Sequence, residues 1–158
     1  MPKQDLIARI IAQLAVDLAQ LTTAALATHA EATDEENKSE DKYDTRGLEA
    51  SYLAHGQSKA AVEVAQAVAQ FQALPIRDFA AGEPISLGAL VVLEGKGRSH
   101  YLVGPRAGGT EIEADGHPVK VITPQSPLGH QLMGRLQGDT LSLDLGGLRS
   151  DYRVASVT

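Results

Sequence analysis

Acidic side chains crowd into one short stretch in the first half of the chain. Eight of the 20 acidic residues fall there, and carboxylate oxygens are the ligands that hard divalent cations prefer. They are Glu31, Asp34, Glu35, Glu36, Glu40, Asp41, Asp44 and Glu49. A charge run is also typical of a solvated connection, and Asp44 has a residue type that caps helices. The residues alone leave both alternatives open, a metal-binding stretch or a solvated loop.

Other residue patterns that could do chemistry are weaker. The stretch 104–109 is Gly-rich but lacks the Gly-Lys-Ser/Thr ending of a phosphate loop, and it predicts a hairpin turn. The five histidines include no pair four residues apart, which argues against a metal site within the protein. Ser126 lies near His130, but no strand-turn-helix elbow surrounds this serine, which argues against a hydrolase.

The composition excludes several broad classes of function. A net charge of -6 argues against a general grip on DNA or RNA, which needs many Lys and Arg. The chain has no cysteine, which excludes disulfides and thiolate metal sites. No apolar run approaches the ~20 residues of a membrane span, and the first residues lack a signal peptide's apolar segment. We therefore expect a cytoplasmic protein that does not bind a membrane.

Two helices flank the acidic stretch. Apolar residues before it recur with alternating spacings of four and three, at Ile7, Ile11, Leu14, Leu18, Leu21 and Ala25. A weaker seam follows it, at Leu53, Ala60, Val64, Ala67, Phe71 and Leu74. These seams predict helices over about 4–32 and 44–74 that form an antiparallel hairpin with the acidic stretch at its tip. Two separate amphipathic helices packed on the rest of the chain are the alternative.

The pattern changes from helical to strand-like after Pro75, which predicts domains at 1–75 and 85–158 with a linker at 76–84. Ser126 and Pro127 are typical of a helix start, here a short helix reaching Met133. Gly129 and Gly134 are expected to permit close packing, and Gly138 and Asp139 to turn the chain. The predicted strands are 87–93, 99–103, 110–114 and 119–122, then a hairpin of 140–145 and 148–157. Strands packed on one short helix after a helical hairpin predict an α+β fold.

Two motifs in the second half resemble the C-terminal domain of the bacterial Gre transcript-cleavage factors. The stretch 126–139 contains Ser-Pro-Leu-Gly, a short helix and Gly-Asp, and 101–105 resembles an earlier strand and turn of that domain. The order of a long helical hairpin before the small domain also agrees. The resemblance implies an FKBP-like domain at 85–158 and RNA polymerase as the partner.

What the resemblance implies for the tip is specific. Gre hairpins enter the polymerase secondary channel and bring Asp and Glu, three positions apart, to the Mg²⁺ ions that cleave RNA. Asp41 and Asp44 keep that spacing, with Asp in place of Glu, and would hold Mg²⁺ only in the complex. The chain would then stimulate RNA cleavage by stalled polymerase without a catalytic residue or cofactor of its own. A channel-binding inhibitor that does not promote cleavage is the alternative.

The same resemblance implies a docking surface on the small domain. The expected partner-binding residues are Ser126, Pro127, Leu128 and Gly129 at the docking end, and Lys38, Lys42 and Arg46 near polymerase or nascent RNA. Ordinary surface charge is the alternative for those three cations. A peptidyl-prolyl isomerase would need an aromatic pocket, and this half of the chain offers Tyr101 and Tyr152 alone. A coiled-coil module with another partner is a further alternative.

Overall fold

A computed structural model describes residues 1–33 and 46–158, with the backbone alone at 29, 31–33, 46–55, 57 and 145. Within these ranges the chain forms three helices and six strands. The elements are α1 (Lys3–Thr33), α2 (Arg46–Ala73), β1 (Leu90–Glu94), β2 (Arg98–Val103), β3 (Glu111–Ala114), β4 (His117–Ile122), α3 (Pro127–Leu132), β5 (Thr140–Leu145) and β6 (Leu148–Val157). The predicted α+β class, a helical hairpin followed by a β-rich domain, is confirmed.

The heptad seams of the two helices are their least exposed stripes. On α1, Leu14 and Ala25 are buried, and Leu18 and Leu21 between them are half-buried. On α2 the seam is half-buried at Val64 and buried further along, at Ala67 and Phe71. Most of both helices, residues Ala12–Val68, forms one compact unit. The 4-3 spacing therefore marks the least exposed side of each helix.

The start of α1 and the end of α2 belong to the second compact unit, which comprises Met1–Ile11 and Ala69–Thr158. Two consecutive helices that leave and re-enter the same unit run antiparallel. Phe71 is buried beneath β2 and β4, where a Cβ on Gly104 would lie 2.7 Å from the Phe71 ring. Gly104 therefore lets the end of α2 lie close against the sheet.

The six strands form one mixed sheet in the order β3-β4-β2-β1-β6-β5. All neighbouring pairs are antiparallel except β2 and β4, which run parallel. The predicted β5–β6 hairpin is confirmed, with Gly146 and Gly147 at φ 63° and 82° as a two-residue turn requires. The strand expected from Leu87 begins at Leu90, because Gly88 takes φ 90° in a turn.

The segment 76–84, expected as a linker, contributes to the core of the second unit. Phe79 is 8% exposed and belongs to the cluster of buried side chains that includes Val91, Leu132 and Leu143. The guanidinium of Arg77 lies 4.1 Å from the centre of the Phe79 ring. Packing of this one aromatic side chain fixes the path between α2 and the sheet.

One stretch of α1 passes the composition test for a membrane span, although the sequence analysis found no apolar run of that length. The stretch Lys3–Thr28 is long and apolar enough, by length and composition only. Many small Ala residues raise the mean hydropathy of this stretch without forming a run of large apolar side chains. Core helices of soluble proteins and signal sequences meet the same test, so this composition by itself assigns no membrane.

Lys3 ties three segments of the second unit together. Its Nζ donates hydrogen bonds to the carbonyl oxygens of Arg77 and Thr158, both at 2.7 Å. The residue is 9% exposed, and its ammonium lies 4.9 Å from the centre of the Phe79 ring. Burial lowers the pKa of Lys3, and Asp78 partly offsets that effect. The start of α1 is thus joined to the segment after α2 and to the end of β6.

Replacing Lys3 by Met tests this anchor. The substitution keeps an apolar stem against Phe79 but removes the Lys3 donor to the Arg77 carbonyl oxygen and one of the two donors to the Thr158 backbone oxygen, which keeps the Leu90 amide. We expect the free energy of unfolding to fall by about 1–3 kcal/mol, measured by urea denaturation. The matched control is Lys96→Met at an exposed lysine, which should stay within about 0.5 kcal/mol. Equal stability of the two variants would contradict a stabilising role for the Lys3 hydrogen bonds.

Candidate functional site

The Ser-Pro-Leu-Gly motif forms the turn that opens α3, here called the Ser126 turn (residues 126–129). The Ser126 Oγ accepts a hydrogen bond from the Gly129 amide at 3.1 Å and donates one to the Thr123 carbonyl oxygen at 2.8 Å. Ser126 is extended, with φ -67° and ψ 155°, and Pro127 occupies the first helical position. The predicted cap and helix entry are both confirmed.

Gly129 permits a close approach that no other residue allows. A Cβ at this position would lie 1.8 Å from the Thr123 carbonyl oxygen and 2.9 Å from the Ser126 Oγ. Both distances are below van der Waals contact, and the nearer atom belongs to the backbone. The Ser126 turn can therefore fold tightly onto Thr123 only with glycine here.

The rest of the motif sets the course of the chain after α3. Gly138 has φ 92° and Asp139 accepts the Leu136 amide at 2.8 Å, which confirms the predicted turn. Gly134 was expected to permit close packing, but a Cβ there would meet no atom within 4 Å. Its φ of 81° is the actual reason for glycine, because an L side chain rarely adopts that conformation.

A cleft of about 690 Å³ lies beside the Ser126 turn. Strands β2, β4 and β5 and the turn itself supply its walls, including Tyr101, Lys120, Thr123, Ser126, Leu128 and Asp144. Pro127 is exposed at this opening, Leu128 is half-buried, and Gly129 is buried. Of the four turn residues expected to meet a partner, Pro127 is the most accessible, and Gly129 is buried within the turn.

The cleft is amphipathic. Lys120 and Asp144 bring opposite charges to its walls, and Leu128 and Ile122 bring apolar surface. Burial raises the pKa of the Tyr101 hydroxyl, which keeps it a neutral donor and acceptor at physiological pH. Tyr101 is the one aromatic side chain among the described residues of the lining. That composition suits contact with a polar protein surface. A peptidyl-prolyl isomerase would instead hold the proline ring of its substrate among several aromatic rings.

Sequence reasoning missed Lys120, Thr123 and Asp144 as neighbours of the Ser126 turn. Lys120 enters because β4 pairs in parallel with β2, which places Lys120 opposite Tyr101. Asp144 enters from β5 at the far edge of the sheet. These positions are distant in the chain and carry no shared spacing that could have marked them.

The other predicted site residues lie outside the described part of the chain. Asp41, Asp44, Lys38 and Lys42 fall in the gap 34–45, and Arg46 begins α2 with its side chain undescribed. Among the described residues, no three His, Cys, Asp or Glu side chains cluster as metal ligands would. The prediction that Asp41 and Asp44 hold Mg²⁺ stays a prediction.

The chain is similar to known transcription factors along most of its length. It is 31% identical to the transcription inhibitor protein Gfh1 of Thermus aquaticus over 120 residues, 76% of this chain and 74% of the relative. With the Gfh1 protein of Thermus thermophilus it shares 32% over 124 residues, 76% of this chain and 75% of the relative. No family model matches.

Among solved structures, the chain is similar to GreA factor homolog 1 (Gfh1) of Thermus thermophilus. The TM-score is 0.40 at 22% identity, covering 98% of this chain and 93% of the other. An overall superposition at that score is loose, so the relationship rests on the sequence matches.

Gly129→Ala tests the geometry of the Ser126 turn. Alanine is ordinarily the better helix former, yet its Cβ would strike the Thr123 carbonyl oxygen. We expect a loss of at least about 1–3 kcal/mol in unfolding free energy, measured by urea denaturation. Gly97→Ala is the control, because a Cβ there meets open space. A Gly129→Ala protein as stable as the control would show that the Ser126 turn can shift to accommodate a Cβ.

Proposed function

Because the chain belongs to the Gre-type family of transcription factors, we propose that it binds RNA polymerase and inhibits transcription. The observation that carries the proposal is the match over three-quarters of the chain to Gfh1 proteins described as transcription inhibitors. In this proposal the protein has no reaction of its own and needs no cofactor in isolation. It acts where bacterial RNA polymerase acts, in the cytoplasm.

The Ser126 turn and its cleft are the docking surface in this proposal. Pro127 is exposed at the mouth of the cleft, and the cap held by Ser126 fixes its position. Lys120 and Asp144 offer charges of both signs to a partner, which favours one orientation of binding over others. A rigid turn beside an amphipathic cleft loses little conformational entropy on binding.

The acidic stretch is the inhibitory part in this proposal. Asp41 and Asp44 enter the secondary channel and hold Mg²⁺ that belongs to the polymerase active site, where carboxylate oxygens are suitable ligands. Lys38, Lys42 and Arg46 then lie near the polymerase or the nascent RNA. An Mg²⁺ held in an unproductive position slows nucleotide addition, because the metal ions orient the reacting groups.

Stimulation of RNA cleavage is the second candidate, and the spacing of Asp41 and Asp44 favours it. The spacing matches the Asp and Glu of the cleavage factors, so the two carboxylates could present a metal ion to the attacking water. Asp is one methylene shorter than Glu and reaches less far. The names of the relatives, which are transcription inhibitors, support placing inhibition first.

Pro127→Ala tests docking. The substitution removes exposed ring surface and leaves the Ser126–Gly129 hydrogen bond in place, so stability should be nearly unchanged. We expect the dissociation constant for core RNA polymerase to rise about tenfold, equivalent to ~1.4 kcal/mol. Pro118→Ala, at an exposed proline in β4, is the control and should bind as the native protein does. Equal affinities for all three proteins would place docking elsewhere.

Asp41→Asn combined with Asp44→Asn tests the acidic stretch. The pair removes metal-binding charge with little change in shape, and Asn also caps helices. We expect inhibition of RNA synthesis at low Mg²⁺ to require at least about tenfold more protein, with unchanged polymerase affinity. The charge-matched control, Glu63→Gln with Asp151→Asn at exposed positions, should inhibit normally.

Three outcomes separate the candidates. Undiminished inhibition by the Asn pair would refute a role for the two carboxylates. Transcript shortening in stalled complexes, present with native protein and lost with the Asn pair, would favour cleavage stimulation instead. A native protein without measurable affinity for RNA polymerase would overturn both candidates.

A further inference from the structure

The β5–β6 hairpin separates apolar from polar side chains between its two faces. On one face of β5 lie Leu141 and Leu143, which are buried in the core cluster of the second unit. On the other face lie Thr140, Ser142 and Asp144, which are exposed. The face that carries Leu141 and Leu143 is here called the inner face of the hairpin.

Leu148, the first residue of β6, belongs to the inner face as well. The register of the hairpin pairs Leu141 with Tyr152, and Tyr152 packs against the same core cluster. Because side chains alternate along a strand, Leu148, four residues before Tyr152, lies on the same face as Tyr152. An apolar side chain on the inner face of an antiparallel sheet is ordinarily covered by the core.

Leu148 is instead exposed to solvent. Its exposed fraction of 70% is the highest among the large apolar side chains of the described residues. Further along the same face, Ser150 and Tyr152 are half-buried and Val154 is buried. Burial therefore decreases along the inner face towards the hairpin turn, and the apolar pattern of this face extends beyond the core that covers it.

A single exposed leucine needs no explanation by itself, but the position of Leu148 is informative. Gly146, two residues before it in the hairpin turn, lines the cleft beside the Ser126 turn. The Ser126 turn brings the exposed Pro127 to the same cleft. Two exposed apolar side chains, each on or next to a tight turn, therefore stand near one opening.

The hairpin turn fixes the position of Leu148 before any partner binds. Gly146 and Gly147 both have positive φ, and a two-residue turn of this kind sets the register in which β6 begins. Asp144 and Arg149 lie opposite each other on the outer face and bring charges of both signs close to the tip. An apolar side chain with polar neighbours around it is the usual composition of a protein interface.

We propose that Leu148 is a second contact of the docking surface and inserts into an apolar recess of RNA polymerase, beside the contact made by Pro127. This inference rests on the proposed function, which supplies the partner. Docking then uses the hairpin turn, the Ser126 turn and the cleft that both turns border. Contacts on two separate turns fix the orientation of the docked domain, which a contact on one turn would leave free to rotate.

Leu148→Thr tests the contribution of this side chain to affinity. Threonine suits a strand but lacks most of the apolar surface of leucine. We expect the dissociation constant for core RNA polymerase to rise about tenfold, with an unchanged urea midpoint because Leu148 is exposed in the free protein. Leu148→Met keeps the apolar surface and should bind as the native protein does. The matched control is Leu87→Thr, at a leucine that is 42% exposed and lies outside the cleft lining.

A thiol at the same position tests for direct contact. The chain contains no cysteine, so Leu148→Cys introduces a single thiol. Saturating polymerase should slow its alkylation by N-ethylmaleimide at least about tenfold, because a thiol buried in an interface is inaccessible to the reagent. Leu87→Cys should react equally fast with and without polymerase. Mass spectrometry of this chain measures both rates, and a role of Leu148 in hairpin stability alone would give no protection.

Two results would overturn this inference and leave the proposed function intact. One is native affinity of Leu148→Thr when Pro127→Ala binds more weakly. The other is a Leu148→Cys thiol that remains fully reactive in the complex with polymerase. A native chain without measurable affinity for RNA polymerase is a different result, which would overturn the proposed function and this contact together.

Discussion

The second compact unit depends on a buried ammonium group. Lys3 donates to the backbone oxygens of Arg77 and Thr158, so one side chain joins the start of α1, the segment after α2 and the residue that follows β6. Burying a charge costs free energy unless hydrogen bonds replace water, and the lowered pKa of Lys3 reflects that cost. Two carbonyl oxygens and the face of Phe79 offset it. The start of α1 makes a further contact within this unit, because Arg9 donates a hydrogen bond to the Glu113 carbonyl oxygen.

The helices and the last hairpin were predictable because their sequence patterns are local. The pairing of strands that are distant in the chain has no local pattern and was not predicted. The 4-3 spacing of Leu14, Leu18 and Leu21 predicts the packed side of α1 because a helix repeats its faces every few residues. The parallel pairing of β2 with β4 has no such local signal, since β3 lies between them in the chain. The cleft depends on that pairing, so Lys120 could not be assigned to it from sequence. Lys3 gave no signal either, because a lysine near the start of a helix is ordinarily solvated.

The Ser126 turn was predictable because its chemistry is local. Ser126 caps a helix whose first residue is Pro127, and both preferences follow from the unpaired amides at a helix start. Gly129 was predicted to permit close packing, but the identity of its neighbour, the Thr123 carbonyl oxygen, required the fold. Position 134 requires glycine because its φ is positive, and not because another atom approaches closely. Glycine alone does not tell these two constraints apart.

The residues that identify the chain and those proposed to act on polymerase are under different constraints. A side chain larger than glycine at Gly129 would collide with backbone, so geometry determines that residue. Asp41 lies in the stretch 33–43, which contains no aliphatic residue, and Asp44 directly follows that stretch. Exchanging Asp for Glu there alters the reach of a carboxylate by one methylene. The collision that requires glycine at position 129 is local to Thr123 and Ser126, so it sets no condition on which acidic residue stands at 41 or 44.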